Sequence, residues 1–136
     1  MSSTPRVLFV CVKNGGKSQM AAGLMSKVAR NTVDVFSAGT APGSAINALS
    51  AQSLLEVGID ISANTPRPID PDLLGQMDVV VTLGREAQPP VIDGPRYENW
   101  DTDEPSERGI DGIERMRLVR DDITERVADL HTRLTT

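Results

Sequence analysis

Positions 7 to 12 read V-L-F-V-C-V, an unbroken apolar run containing three valines. A strand with one wet face alternates apolar and polar. A continuous run of this length predicts a strand buried on both faces, as in a parallel sheet. The period then changes. Over residues 17 to 30, Met20, Leu24 and Val28 recur every fourth position with Ala21 and Met25 beside them, which predicts a helix with that stripe inward. Residues 33 to 37 read as a second strand ending at Ala38-Gly39, and residues 46 to 57 as a second helix stopped by Gly58 at a C′ position. Residues 77 to 83 are a third buried strand, and residues 96 to 100 a shorter fourth. The last helix covers about 111 to 134, with Met116, Val119, Ile123, Val127, Leu130 and Leu134 on one stripe. Strands alternating with helices predict an α/β fold with a parallel sheet and right-handed crossovers, one domain over residues 1–136. The stretches 62–72 and 85–109 hold most of the proline and charge and are expected to be surface loops.

The first strand runs directly into N-G-G-K-S and then a helix, the place where open α/β sheets bind ligands. Gly16-Lys17-Ser18 is also how the nucleotide loop G-x-x-x-x-G-K-[ST] ends. Its first glycine would fall at position 11, which is instead the sole cysteine of the chain. A nucleotide fold further calls for a strand ending in a magnesium-binding Asp, and the apolar strand here ends Thr82-Leu83-Gly84. A different phosphate-type loop fits better. Gly15 and Gly16 are expected to let the backbone turn with positive φ, and Asn14 tolerates the left-handed region. Such a loop points successive N–H groups into one nest for an oxyanion, aided by the helix N-terminus and Lys17. The field that holds an anion also favours a thiolate at Cys11, and Ser18 is placed to hydrogen-bond it. A thiolate beneath a bound oxyanion can attack the central atom. The bland alternative is a buried, inert cysteine.

Charge sharpens this picture. The net charge is -5, yet residues 1 to 33 carry Arg6, Lys13, Lys17, Lys27 and Arg30 and no acid, leaving -10 for the remainder. The acidic total argues against nucleic acid as a partner, and the basic start argues for a local anion site. One cysteine excludes an internal disulfide. No apolar run approaches the ~20 residues that span a bilayer, and no signal-type segment opens the chain, so no membrane role and a cytoplasmic location are expected. His131 stands alone on the last helix with no metal set around it, and Tyr97 is expected to pack rather than react.

Cys11, Asn14, Lys17 and Ser18 after a first strand resemble the C-x-x-N-x-x-[R]-S loop of the low-molecular-weight tyrosine phosphatase family. Ser37-Ala38-Gly39-Thr40, Gly58-Ile59-Asp60-Ile61-Ser62 and Asp78-Val79-Val80-Val81-Thr82 resemble its S-A-G-T, G-I-D-x-S and D-x-V-x-T segments, so the likeness covers essentially the whole chain. Within the family, Ser18-Gln19-Met20-Ala21 and the Trp100 to Glu104-Pro105 segment are most similar to arsenate reductases, in particular single-cysteine, mycothiol-dependent ones. The resemblance implies a three-layer sandwich around a four-stranded parallel sheet. It also implies oxyanion binding by Val12, Lys13, Asn14, Gly15, Gly16, Lys17 and Ser18, a nucleophile at Cys11, and Trp100 as a pocket wall.

Two departures matter. The family usually carries arginine where Lys17 stands, and lysine offers a point charge in place of a two-pronged fork. The further cysteines of the thioredoxin-coupled enzymes are missing here. Reducing arsenate takes two electrons and one thiol cannot supply them, so an external thiol is implied. The resemblance points to mycothiol, followed by a glutaredoxin-like mycoredoxin, with glutathione as the chemical equivalent. No bound cofactor or metal is implied. A proton donor is needed for the departing oxygen. The family's Asp-Pro position holds Glu104 before Pro105, with Asp103 as the other candidate, and a neighbouring oxyanion is expected to raise the pKa of whichever approaches. Two other readings stay open: a protein tyrosine phosphatase, and a non-catalytic oxyanion-binding regulatory domain.

Overall fold

The structure is a computed structural model that describes residues 4–136. Four strands form one parallel sheet: β1 (Arg6–Cys11), β2 (Asp34–Gly39), β3 (Val79–Leu83) and β4 (Arg96–Trp100), in the order β2-β1-β3-β4. The chain leaves β1 toward one edge and later returns to its other side. The carboxyl ends of β1 and β3 therefore flank the crevice where the winding reverses. Register puts Cys11 opposite Gly39 and Leu83 opposite Trp100 on that same edge of the sheet.

The unbroken apolar run of β1 is explained by two cores. Val7 and Phe9 face one side with Val79 and Val81, under α1 (Lys17–Ala29), α2 (Ala48–Leu55) and α4 (Gly112–Thr135). Leu8 and Val10 face the other with Val80, Ala38, Leu74 and Met77. That second layer is thin: it consists of the four-residue α3 (Pro71–Leu74) and irregular chain. A 3-10 turn, Pro105–Arg108, precedes α4. The 3-10 turn lies within the 85–109 stretch expected to be a loop, and α3 begins at the end of the 62–72 stretch and runs two residues past it.

Helix ends follow their residues. Asn47 accepts the Ser50 N–H at 2.9 Å and caps α2, so the helix begins after Asn47 and not at position 46. At its other end Gly58 takes φ +83°, its N–H donates to Leu55 O at 3.0 Å, and the Ile59 N–H reaches Leu54 O at 3.0 Å, as the glycine at 58 predicted. One stripe was misplaced. Val28 is 43% exposed, while Met20, Ala21, Leu24, Met25 and Ala29 form the inward face of α1. Four-residue steps drift off a 3.6-residue helix, so the third member rotates to solvent. The α4 stripe is observed as expected, with Val119, Ile123, Val127 and Leu130 buried and Met116 and Leu134 half-buried. No helix of the described residues is long and apolar enough to cross a membrane.

Candidate functional site

The loop between β1 and α1 is built on Asn14. Its φ of +53° is left-handed, and its side chain is fully buried. The side-chain Oδ1 accepts the Arg67 N–H at 3.0 Å and Gln19 Nε2 at 3.1 Å. A backbone N–H can only donate, so Oδ1 is fixed as the acceptor and Nδ2 must be the atom that donates to Ser18 Oγ at 2.8 Å. Ser18 Oγ is in turn hydrogen-bonded to Cys11 Sγ, 2.9 Å away. The Asn14 N–H donates to the same sulfur at 3.2 Å.

The turn expected of the glycines is made by Asn14 instead. Neither Gly15 nor Gly16 has positive φ. Gly15 is needed for closeness: a Cβ there would lie 2.8 Å from Ala45 O. Gly39 acts likewise, since a Cβ would meet Val12 O at 2.6 Å. Residues 40–47 run beside the loop and take its carbonyls in turn. Thr40, Ala41, Gly43 and Asn47 N–H groups donate to Cys11, Val12, Lys13 and Gly15 oxygens at 2.7 to 3.1 Å. Four of the loop's carbonyls are thereby tied to the neighbouring segment. The first intrahelical bond of α1 runs from Met20 N–H to Gly16 O, so the N–H groups of Lys17, Ser18 and Gln19 are without helical partners.

A cavity of about 670 Å³ opens over this loop, lined by Cys11, Val12, Gly16, Lys17, Leu83 and Gly84, and across from them by residues 101–104. Lys17 Nζ is ion-paired with Glu104 Oε1, and Arg115 of α4 reaches Glu104 Oε2 at 3.3 Å. Burial raises the Glu104 pKa, but Lys17 and Arg115 together prevail, and the carboxyl is held below its ordinary value. Asp103 is held low as well, chiefly by the Arg108 fork at 2.8 and 3.1 Å. A raised pKa at the acid was expected, and the ligand-free site has the opposite sign. The reason is three cations, Lys17, Arg108 and Arg115, on two carboxylates.

Cys11, Val12, Gly16, Lys17, Asp103 and Glu104 thus meet at one cavity, with Asn14 and Ser18 buried beneath them. Lys13 and Gly15 line a neighbouring cavity. Trp100 does not line the Cys11 cavity. It is 5% exposed, its ring lies 5.6 Å from that of Phe9, and its Nε1 donates to Glu98. The last residue of β4 points into the core, and the segment after it forms the wall. His131 Nε2 lies 3.0 Å from Thr32 Oγ1, and Tyr97 Oη bonds Pro90 O and Ile92 N–H. Among the described residues no group of three or more His, Cys, Asp and Glu is gathered as metal ligands would be. Arg67 and Arg115 had no sequence signal of their own: Arg67 reaches Asn14 by its backbone N–H, and Arg115 reaches Glu104 from the first turn of α4.

Residues 6–136 match the family model of the low molecular weight phosphotyrosine protein phosphatases. The chain is 34% identical over 136 residues to an arsenate reductase of Bacillus licheniformis, covering 92% of this chain and 94% of that one. Among solved structures, a Corynebacterium glutamicum thioredoxin-dependent arsenate reductase superposes with a TM-score of 0.81 at 34% identity over 98% of this chain. This chain spans 63% of that longer one. An arsenate reductase in a phosphate-binding state gives 0.82 at 30% identity, covering 96% and 98% of the two chains.

Proposed function

This chain belongs to the low molecular weight phosphotyrosine protein phosphatase family, and on that premise we propose that it is an arsenate reductase working by thiol transfer. The observation that carries the reading is the setting of Cys11 Sγ at the cavity floor, hydrogen-bonded to Ser18 Oγ and receiving the Asn14 N–H. Relatives of 30 to 34% identity that bear the name arsenate reductase support it.

The Cys11 thiolate attacks arsenic. An As–S bond forms, an As–O bond breaks, and the departing oxygen is protonated and leaves as water. Arsenic stays pentavalent. Loop N–H groups and Lys17 hold the remaining oxygens; Lys13, expected among the oxyanion ligands, lines the neighbouring cavity instead. Glu104 is the preferred proton donor, with Asp103 as the alternative. Arsenate draws Lys17 to itself and sets negative charge beside Glu104, and both effects favour the protonated carboxyl.

The sequence contains one cysteine, so no second protein thiol attacks the Cys11–arsenic bond. An external low-molecular-weight thiol displaces Cys11: its sulfur bonds arsenic, its proton passes to the leaving Cys11 sulfur, and the protein is regenerated. Reduction follows outside the site. A second thiol attacks the sulfur of the arseno-thiol adduct, a disulfide forms, and the electron pair of the broken As–S bond stays on arsenic as arsenite. Mycothiol with a glutaredoxin-like mycoredoxin is the pair the family resemblance implies, in the cytoplasm. The test is arsenite production from arsenate with mycothiol and mycoredoxin, with glutathione and glutaredoxin, and with thioredoxin. No arsenite in any arm sinks the reading, and so does turnover retained by Cys11→Ser.

A tyrosine phosphatase is the second reading, favoured by the family match itself. Two observations weigh against it: Lys17 replaces the forked guanidinium, and no aromatic side chain lines the Cys11 cavity to stack on a phenyl ring. Fast aryl phosphate hydrolysis lost in Cys11→Ser would promote it.

A further inference from the structure

A second cavity of about 520 Å³ lies beside the oxyanion loop, between residues 43–47 and the first turns of α4. Lys13, Lys17 and Arg115 line it, together with Ser44, Asn47 and Ser50, and no Asp or Glu is among its lining residues. Gly16 and Lys17 border both this cavity and the one over Cys11. The Lys17–Glu104–Arg115 ion pairs run between the two.

Three cations lining one cavity are unusual in a chain of net charge -5. Each disfavours the others, and an anion between them relieves that repulsion. Arg115 is the least satisfied. It is half-buried, its one bond is the 3.3 Å contact to Glu104, and its Nε is closed off from solvent with no acceptor among the described residues. Lys13 makes no ion pair among the described residues. A guanidinium with unused donors, two ammonium groups and the Ser44 hydroxyl suit a carboxylate. The volume is that of a small-molecule site.

We propose that this cavity is the subsite for the carboxylate-bearing tail of the thiol co-substrate, which rests on the thiol-transfer reading above. A molecule seated here has the Cys11 cavity as its immediate neighbour, because Gly16 and Lys17 belong to both. The charge of the lining also orders the two thiols considered above. Glutathione brings two carboxylates. Mycothiol brings sugar hydroxyls, which leave the positive charge in excess of the single Glu104 carboxylate uncompensated. The subsite therefore favours a carboxylate-bearing thiol of the glutathione class.

The test uses S-methylglutathione, which has the carboxylates and no reactive thiol, titrated into the full chain and followed by amide NMR. The expected result is saturable shifts at residues 43–47 and around Arg115. Arg115→Ala weakens binding about tenfold, the size of one hydrogen bond to a charged group. Ser44→Asp, an exposed change outside the oxyanion loop, sets a carboxylate in the cavity and abolishes binding. Sodium acetate, a free carboxylate without the peptide, binds far more weakly. Shifts confined to residues 11–18, affinity unchanged in both variants, acetate binding as tightly, or no binding each overturn the proposal. Failure of arsenate turnover with every thiol, alongside intact S-methylglutathione binding, instead sinks the thiol-transfer reading and leaves the subsite standing.

Discussion

Asn14 Nδ2 donates to Ser18 Oγ at 2.8 Å, and Ser18 Oγ in turn lies 2.9 Å from Cys11 Sγ. When the sulfur attacks as a thiolate, the Ser18 hydroxyl is the donor between them. Ser18→Ala removes that donor and leaves the Asn14 N–H in place. Alkylation of Cys11 by iodoacetamide at neutral pH is expected to slow about tenfold, the worth of one hydrogen bond to a charged group. An unchanged rate would mean the hydroxyl does not support the thiolate.

Glu104 is ion-paired with Lys17. Glu104→Gln frees the ammonium group, so phosphate or arsenate binding should tighten by about two- to fivefold, the range of a partly exposed ion pair. Arsenate turnover should fall by ~100-fold or more in the same variant if its carboxyl delivers the proton. Isothermal titration and steady-state assays separate the two effects. Turnover retained in Glu104→Gln but lost in Asp103→Asn would move the acid one residue earlier.

Gly39 sits where a Cβ would meet Val12 O at 2.6 Å and Asn14 Cβ at 3.0 Å. Gly39→Ala must push the oxyanion loop away from β2. A displacement of this order in a catalytic constellation costs about 100-fold in rate. The overpacking should cost ~1–3 kcal/mol of stability. Urea unfolding and turnover of the same sample check both. Full activity would show that the loop tolerates the shift.

Acid sensitivity is expected at the other end of the molecule. Arg117 holds the Glu56 carboxyl down from its ordinary 4.5 to about 2, against opposing burial and with help from Arg120. A lowered folded-state pKa means the unfolded chain binds this proton first as pH falls. The contribution is complete above about 4.5 and is lost on descending toward about 2. Glu56→Gln should flatten the decline of the urea midpoint across that window. A decline of unchanged steepness would assign acid lability to other carboxylates.

The parallel sheet and the cysteine loop were legible because their signals are contiguous: an apolar run for β1, then Asn14 to Ser18 within one turn of chain. What was hidden acts at long range or through the backbone. Residues 40–47 secure the loop with main-chain N–H groups, which leave no mark on side-chain identity beyond Gly15 and Gly39. Arg115 lies 11 residues past Glu104 and reaches it only because α4 folds back over α1. The acid's environment misled for a related reason. An oxyanion beside Asp103 and Glu104 raises their pKa, whereas the cations Lys17, Arg108 and Arg115, drawn in from elsewhere in the fold, lower it. Trp100 went astray because a segment's place in sequence does not say which way its last side chain points.

The inward turn of that tryptophan equips the protein with an optical reporter. It is the only indole in the chain, tilted against the Phe9 ring and tethered to Glu98, and it stands immediately before the 101–104 wall. Its emission reads out the packing of the sheet where β4 ends. A ligand that moves the wall tugs on the fluorophore without touching it, and occupancy of the site becomes visible in unlabelled protein.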